Sequence, residues 1–411
     1  MEGSGIKVYS YRWVVLGAFS LINLSIQILW ICFAPVAGPA AEYYGVSDMK
    51  IGLLAMIFMI VYIPAAIPAS WMIDRFGFKK GVGLGAVLLG GFGLLRGMFP
   101  GDYHTVMALT IGIALAQPLL LNAFTTLAAK WFPFQERAMV SGLAMAANFL
   151  GTAAGLMLTP TLVENYGMDR MQLIYGVIAA ISAAVFLMLA REEPPTPASP
   201  EGFTERALML DGLKMMLRQK DFWYCMVIFF VGVGVFNGLA TWIEDMVRPR
   251  GMSPHQAGMM GGFLLIGGIA GAAVIPALSD HYHQRKPFML LGMALSIPGI
   301  IGFTYFQGYA MLLASVFVLG FFMMGLGPIG YQYAAEITYP APEGTSNGLL
   351  ALAGQISVVF IFGMAAMKEA LGSFTPSLVL GAGLMAINCL LIARLQESKL
   401  LEKMSGEMDG E

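Results

Sequence analysis

REEPPTPASPEGFTERALMLDGLKMMLRQKD, residues 191–221, is the long run of this 411-residue chain in which charge, proline and polarity outweigh apolar residues. On either side, residues 1–190 and 222–411 each hold six long apolar runs. A polar segment halving a hydrophobic chain reads as a hinge between two similar bodies. Its first part, Pro194 to Pro200, is too rich in proline for a helix. Its second part, Thr204 to Lys220, alternates Leu and Met with Arg, Lys and Asp. That pattern suggests a short amphipathic helix on the membrane surface, although a plain solvated linker is the favoured reading.

Working outward, the composition says what surrounds the hinge. Hydrophobic residues make up 58% of the chain and charged residues 12%, and the mean hydropathy is +0.73. Ordinary soluble domains are about 25% charged, so an all-α polytopic membrane protein is expected. The net charge of −2 says nothing about nucleic acid, but no basic stripe exists to hold phosphates, so no nucleic-acid partner is expected. Cys32, Cys225 and Cys389 sit inside apolar runs, which indicates neither disulfides nor a metal site. His104, His255, His281 and His283 fall at span ends or in loops. No cofactor is implied, and no catalytic residue: paired carboxylates, a Ser–His arrangement or a metal cluster at a common depth are all missing. The first apolar run is too long for a cleavable signal peptide and has no small-residue cleavage site.

A bilayer core takes about 20 apolar residues per helix. The apolar runs predict spans at 13–39, 50–73, 81–99, 104–127, 138–162 and 172–191, then 222–247, 256–278, 286–306, 309–335, 346–371 and 375–396. Gly142, Gly151 and Gly155 have the spacing of close helix packing in lipid. Cytoplasmic loops carry the excess of Lys and Arg. With both termini inside, only Lys50, Arg96, Arg170, Arg248, Arg250 and Lys368 of the 23 basic residues fall outside. Termini and linker are therefore expected in the cytoplasm of a cell-membrane protein, which is read as a monomer. The expected division is 1–191 and 222–396 as six-helix halves, 192–221 as linker and 397–411 as tail.

The halves repeat. Asp74-Arg-Phe-Gly-Phe-Lys-Lys80 follows the second span and Asp280-His-Tyr-His-Gln-Arg-Lys286 follows the eighth. Ser141-Gly-Leu143 opens the fifth span as Asn347-Gly-Leu349 opens the eleventh. Two related six-helix halves and this loop resemble the major facilitator superfamily, with twelve transmembrane helices in pseudo-symmetric halves. Ser70 departs from the loop signature, which usually has glycine there. The resemblance places Asp74 against the start of span eleven and Asp280 against the start of span five, where free N–H groups attract a negative charge. Arg75, Lys79 and Glu336 complete the gating candidates; Arg75 and Lys79 read equally well as topology signals.

Within the spans, Gln27, Gln117, Asn237 and Gln355 stand near the expected midplane, and Trp30 lies one helical turn from Gln27. Single amides of this kind are more often helix–helix bonds than ligand contacts; several at one depth suggest a solute site. Phe33, Tyr62, Phe124, Phe236, Tyr331 and Tyr333 are possible aromatic neighbours, each more readily read as packing. Glu42, Arg96, Glu244, Asp245, Glu336 and Lys368 fall toward span ends. Without a titratable group in mid-span, facilitated diffusion is favoured over proton coupling, and an aromatic face supplies about 0.5–2 kcal/mol of attraction for a cation.

At span ten come Tyr331-Gln-Tyr-Ala-Ala-Glu-Ile-Thr-Tyr-Pro340 and Glu343-Gly-Thr-Ser346. With Arg12-Trp-Val-Val15, Tyr44-Gly-Val46, Ala116-Gln117, Trp131-Phe132 and Leu150-Gly-Thr-Ala153, this resembles the feline leukaemia virus subgroup C receptor family. The resemblance implies carriage of choline or ethanolamine, with haem export an older proposal for that family. It implies an ammonium site at Trp30, Gln117 and Gln355. Asn237 stands where the family has a tyrosine, which fits a solute with a hydrogen-bonding group better than one coated in methyls. The expected function is transport of a small amine-like solute by alternating access. The alternatives are export of a larger amphipathic molecule such as haem or a drug, and a receptor that transports nothing.

Overall fold

A computed structural model of the chain describes residues 9–133, 136–196, 215–338 and 343–397, with the side chains of residues 74, 138 and 343–345 outside the description. Most of the predicted surface helix of the linker and nearly all of the tail also lie outside it. Among the described residues the regular structure is helical, without a strand.

Eleven helical stretches are long and apolar enough to cross a bilayer. In the first unit they are Tyr11–Tyr44, Asp48–Ile73, Phe78–Met98, Tyr103–Trp131 and Met139–Leu189. In the second they are Lys220–Arg250, Pro254–His281, Lys286–Tyr305, Tyr309–Ile337, Ser346–Leu371 and Thr375–Arg394. The 51 residues of Met139–Leu189 would extend about 75 Å as one helix, against about 30 Å of hydrocarbon. Gly167, at φ 82° and ψ 168°, breaks that stretch. It therefore holds spans five and six, divided inside the predicted 163–171 loop, which makes twelve crossings among the described residues.

Internal contacts divide the chain into two compact units, Met1–Phe203 and Thr204–Glu411. Within the first, span one packs on five, three on six, and both two and three on four. Within the second, seven packs on eleven, nine on twelve, and both eight and nine on ten. The same pairings in the same order give each half one internal plan. Close approach is set by small residues: a Cβ at Gly151 would lie 2.3 Å from the Leu24 carbonyl oxygen, and one at Gly271 only 1.8 Å from that of Phe321. Gly155 behaves as its spacing predicts, packing on Ile28 and Ile31. Gly142 does not, because a Cβ there meets nothing within 4 Å. Spacing alone does not tell which side of a helix a glycine occupies.

Burial runs inside out relative to a soluble protein. Ile67 is 78% exposed and Met188 71%, whereas Arg96 is 0% exposed. Apolar side chains on the rim cost nothing when the surrounding solvent is hydrocarbon. Helix starts at the water boundary are capped in the usual way. Asp102 accepts from the Thr105 backbone N–H at 2.8 Å and from its hydroxyl, and these bonds hold its carboxyl below the ordinary range. Ser253 and Gln256 form a reciprocal capping box ahead of span eight.

Candidate substrate site

The first unit holds three of the predicted contact residues on broken helices. Span one is helical over Tyr11–Ile31 and resumes only after a short 3-10 turn at Ala34–Val36. Trp30 stands just before that break, buried, and its indole N–H donates to the Ala55 carbonyl of span two at 3.2 Å. The N–H is thus occupied, the ring plane is fixed, and the ring face is what Trp30 has to offer. Gln27, one turn earlier, donates to Asn148 Oδ1 of span five at 3.2 Å. Its amide N–H thus makes a helix–helix bond, while its Oε1 has no hydrogen-bond partner among the described residues; Asn148 escaped the sequence reading.

Span four is divided into Tyr103–Ala114, Ala116–Leu121 and Phe124–Trp131. Gln117 lies in the middle piece, buried, and its Oε1 has no hydrogen-bond partner among the described residues. No hydrogen bond joins Trp30, Gln27 and Gln117 to one another among those residues. At the next break, Asn122 accepts from the Tyr62 hydroxyl at 2.6 Å and donates to the Ala66 carbonyl at 3.1 Å and Ser70 Oγ at 2.9 Å. Ser70 thereby gains a reason: its hydroxyl helps tie span two to span four. Tyr62 belongs to this knot, Phe124 packs edge-on against Phe19, and Phe33 lies under the Arg96 guanidinium at 5.5 Å.

In the second unit, Asn237 is buried in span seven, with Phe236 half-buried beside it. Gln355 is half-buried just before span eleven breaks at Ser357, whose hydroxyl donates to the Gly354 carbonyl at 2.5 Å. Tyr331 packs against Phe229 with ring centroids 4.8 Å apart, and Tyr333 donates to the Gln396 carbonyl at 2.7 Å. Trp30, Gln117 and Gln355 thus all stand at or beside helix interruptions. Broken spans expose backbone and side-chain polarity at the depth where carriers bind solutes.

The ends of the units nearest the linker show what the repeated loops do. Glu192, just past span six, accepts from the backbone N–H groups of Phe78 at 2.9 Å and Lys79 at 2.7 Å, and pairs with Lys130 of span four. Burial alone would raise its carboxyl; Lys130 and the two N–H groups outweigh that and hold it below the ordinary range. Gly77 of the loop motif is needed twice over. Its φ is +93°, and a Cβ there would sit 2.3 Å from Glu192 Oε1. In the second unit Glu397, just past span twelve, accepts from the N–H groups of Arg285 at 3.0 Å and Lys286 at 3.2 Å. His283, three residues after Asp280 as Gly77 is after Asp74, also has positive φ, at 52°. Neither glutamate was singled out from the sequence, although each follows the last span of its half.

Of the predicted gating residues, Asp280 pairs with Arg285, whose Nη2 lies 3.1 Å from Glu336 Oε1. Burial lowers the affinity of Arg285 for its proton, but the two carboxylates more than offset this and raise it. The hub is Arg285, with a side chain only 5% exposed, and the sequence had given it a topological role only. Arg75 lies over Trp71 and Phe76 on its own helix end. The Asp74 side chain is outside the description.

At the opposite ends of the spans, Glu244 and Asp245 are buried rather than solvated, and Arg248 bonds both. Lys368 Nζ stands 3.6 Å from Asp245 Oδ2. Arg96, expected at a wet span end, is wholly enclosed.

A family model described as Major Facilitator Superfamily matches residues 19–357 and 243–404. The chain belongs to the major facilitator superfamily. Within it, the chain is 30% identical to solute carrier family 49 member A3 of Xenopus tropicalis over 85% of this chain and 76% of that protein. It is 28% identical to the choline/ethanolamine transporter FLVCR2 of Rattus norvegicus, over 92% of this chain and 73% of that one. Its fold is similar to that of a bacterial homolog of the human lysosomal transporter Spinster in an inward-facing, unoccupied conformation. The TM-score there is 0.73 at 17% identity, covering 94% of this chain and 96% of the other. This facilitator is a multi-pass membrane transporter whose substrate is a small molecule.

Proposed function

We propose that this facilitator carries a small amine-bearing organic solute by alternating access and without proton coupling. Trp30, Gln117, Asn237 and Gln355 contact the solute, with Gln27, Phe236 and Tyr331 around them. Asp74, Arg75, Lys79, Asp280 and Glu336 close the pathway at the linker end, and both termini lie in the cytoplasm of a cell-membrane protein. The observation that carries this reading is Gln117, whose amide oxygen is buried in a broken span with no hydrogen-bond partner among the described residues, as is that of Gln27. Such a group costs about 1–3 kcal/mol until a donor reaches it, and a solute amine or hydroxyl is such a donor. The fixed ring of Trp30 supports a cationic head, and the relatives named as choline/ethanolamine transporters point the same way. Uncoupled transport is supported by Glu244 and Asp245, buried acids already matched by Arg248 and Lys368.

The test is uptake of radiolabelled choline, ethanolamine and a porphyrin by proteoliposomes, with and without a pH gradient. An amine should equilibrate without accumulating, whether or not the gradient is present. Trp30→Leu should weaken an ammonium ion by about 0.5–2 kcal/mol while sparing its neutral isostere. Uptake of no amine, or equal loss of ion and isostere, rejects the reading.

A further inference from the structure

Arg96 is a buried charge for which the transport reading has no use. It stands in span three with no exposed surface. Its guanidinium donates to the Leu29 carbonyl at 3.4 Å and Thr110 Oγ1 at 3.3 Å, reaches Cys32 Sγ at 3.6 Å and lies over the Phe33 ring. All of these partners are neutral. The next groups out are neutral too: Tyr44, whose hydroxyl accepts from Gln172 of span six, and Tyr175, bonded to Thr159 of span five. Asp169, from the same end of span six, is bonded to the exposed Tyr43 hydroxyl instead. The other buried cluster charges are matched, Glu244 and Asp245 by Arg248 and Arg285 by Asp280 and Glu336. Among the described residues no carboxylate pairs with Arg96.

A guanidinium does not shed its proton in a protein. Arg96 is therefore a fixed positive charge with no ion-pair partner among the described residues, and it is hydrogen-bonded to the residue immediately before Trp30. Two unit charges on the order of 10 Å apart, at an effective dielectric constant of about 20, interact strongly enough to change binding about tenfold. Resting on Trp30 as a solute contact, we infer that Arg96 is a specificity-determining residue: it disfavours a net cation at Trp30 and selects a zwitterionic amine, one that also carries a carboxylate or phosphate. It acts through its field, not by touching the solute, since it has no exposed atom.

Matched pairs isolate the charge. Glycine betaine and choline share a trimethylammonium head and differ in the carboxylate; phosphoethanolamine and ethanolamine differ in the phosphate. Binding of each is measured to purified wild type, Arg96→Lys and Arg96→Gln. The zwitterion should be preferred about tenfold by wild type, the preference should persist in Arg96→Lys, and Arg96→Gln should bring the ratio near one. Ratios within one variant cancel differences in the folded fraction. Should Arg96→Gln not fold, the wild-type ratio and Arg96→Lys still decide. Equal binding of both members by wild type, a ratio unchanged in Arg96→Gln, or a ratio lost in Arg96→Lys overturns the inference. Binding of no member of either pair overturns the amine reading and the inference with it.

Discussion

Removing Glu192 should loosen the linker-side end of the first unit by a predictable amount. Its carboxylate holds two N–H groups at the start of span three, a cap worth about 0.5–2 kcal/mol plus about 0.3–1 kcal/mol for the charge on the helix dipole. The pair with Lys130 is about a third exposed on both sides, so it adds at most about 1 kcal/mol. Glu192→Ala should cost about 2 kcal/mol in all, and Glu192→Gln, which keeps one acceptor oxygen, about half of that. For a body of roughly 200 residues, 2 kcal/mol corresponds to about 4–8 °C in Tm.

The pH dependence has a definite sign. The Glu192 carboxyl is held below the ordinary glutamate value of 4.5 in the folded protein. Its stabilisation is therefore complete above about pH 4.5 and fades as pH falls through the lower folded value. Thermal unfolding of the purified protein in detergent between pH 3.5 and 7 measures this. The gap between wild type and Glu192→Gln should be constant down to about pH 4.5 and close below it. Gly77→Ala supplies a cycle, because the added methyl would occupy the space of Glu192 Oε1. Its cost should be smaller in a Glu192→Ala background, leaving only the strain of positive φ. Wild-type and Glu192→Gln curves that coincide at every pH would show that the carboxylate is an ornament of the surface.

Further consequences are open to direct measurement. Asn122→Leu removes the bonds to the Tyr62 hydroxyl, the Ala66 carbonyl and Ser70 Oγ, so stability should fall by about 1–3 kcal/mol, and Ser70→Ala should cost less. Thermal unfolding checks the order. Asn237→Tyr places a second aromatic face in span seven and should raise affinity for choline by about 0.5–2 kcal/mol; equilibrium binding showing no gain removes Asn237 from the site. His283→Gly should be neutral or stabilising, by up to about 1 kcal/mol, since glycine accepts positive φ without a Cβ penalty, and a clear loss of Tm argues against that strain. Replacing residues 195–200 with a flexible linker of equal length should leave transport intact in correctly inserted protein, because that stretch carries no motif.

Hydrophobicity accumulates along a chain, so the membrane class and the spans were legible without coordinates. The repeated Asp74 and Asp280 loops made the family legible too, since a short motif is a local property. Span boundaries agree to within a few residues, save that spans one, four and eleven are broken where only a continuous apolar run could be read. What a polar group bonds to is decided by residues far away in sequence. Gln27 and Gln117 look alike as isolated amides. Each keeps a buried amide oxygen without a partner among the described residues, yet Gln27 also donates to Asn148, 121 positions later. Glu192 reads as one charge in a polar linker until span three folds back beneath it, 113 positions away at Lys79. Arg96 reads as a topology signal near a span end, and only the packing of spans one, four and six around it makes it a buried charge. Pattern along the chain reports which solvent a segment prefers; pairing of charge and hydrogen bond is a property of neighbours, and neighbours exist only once the helices have packed.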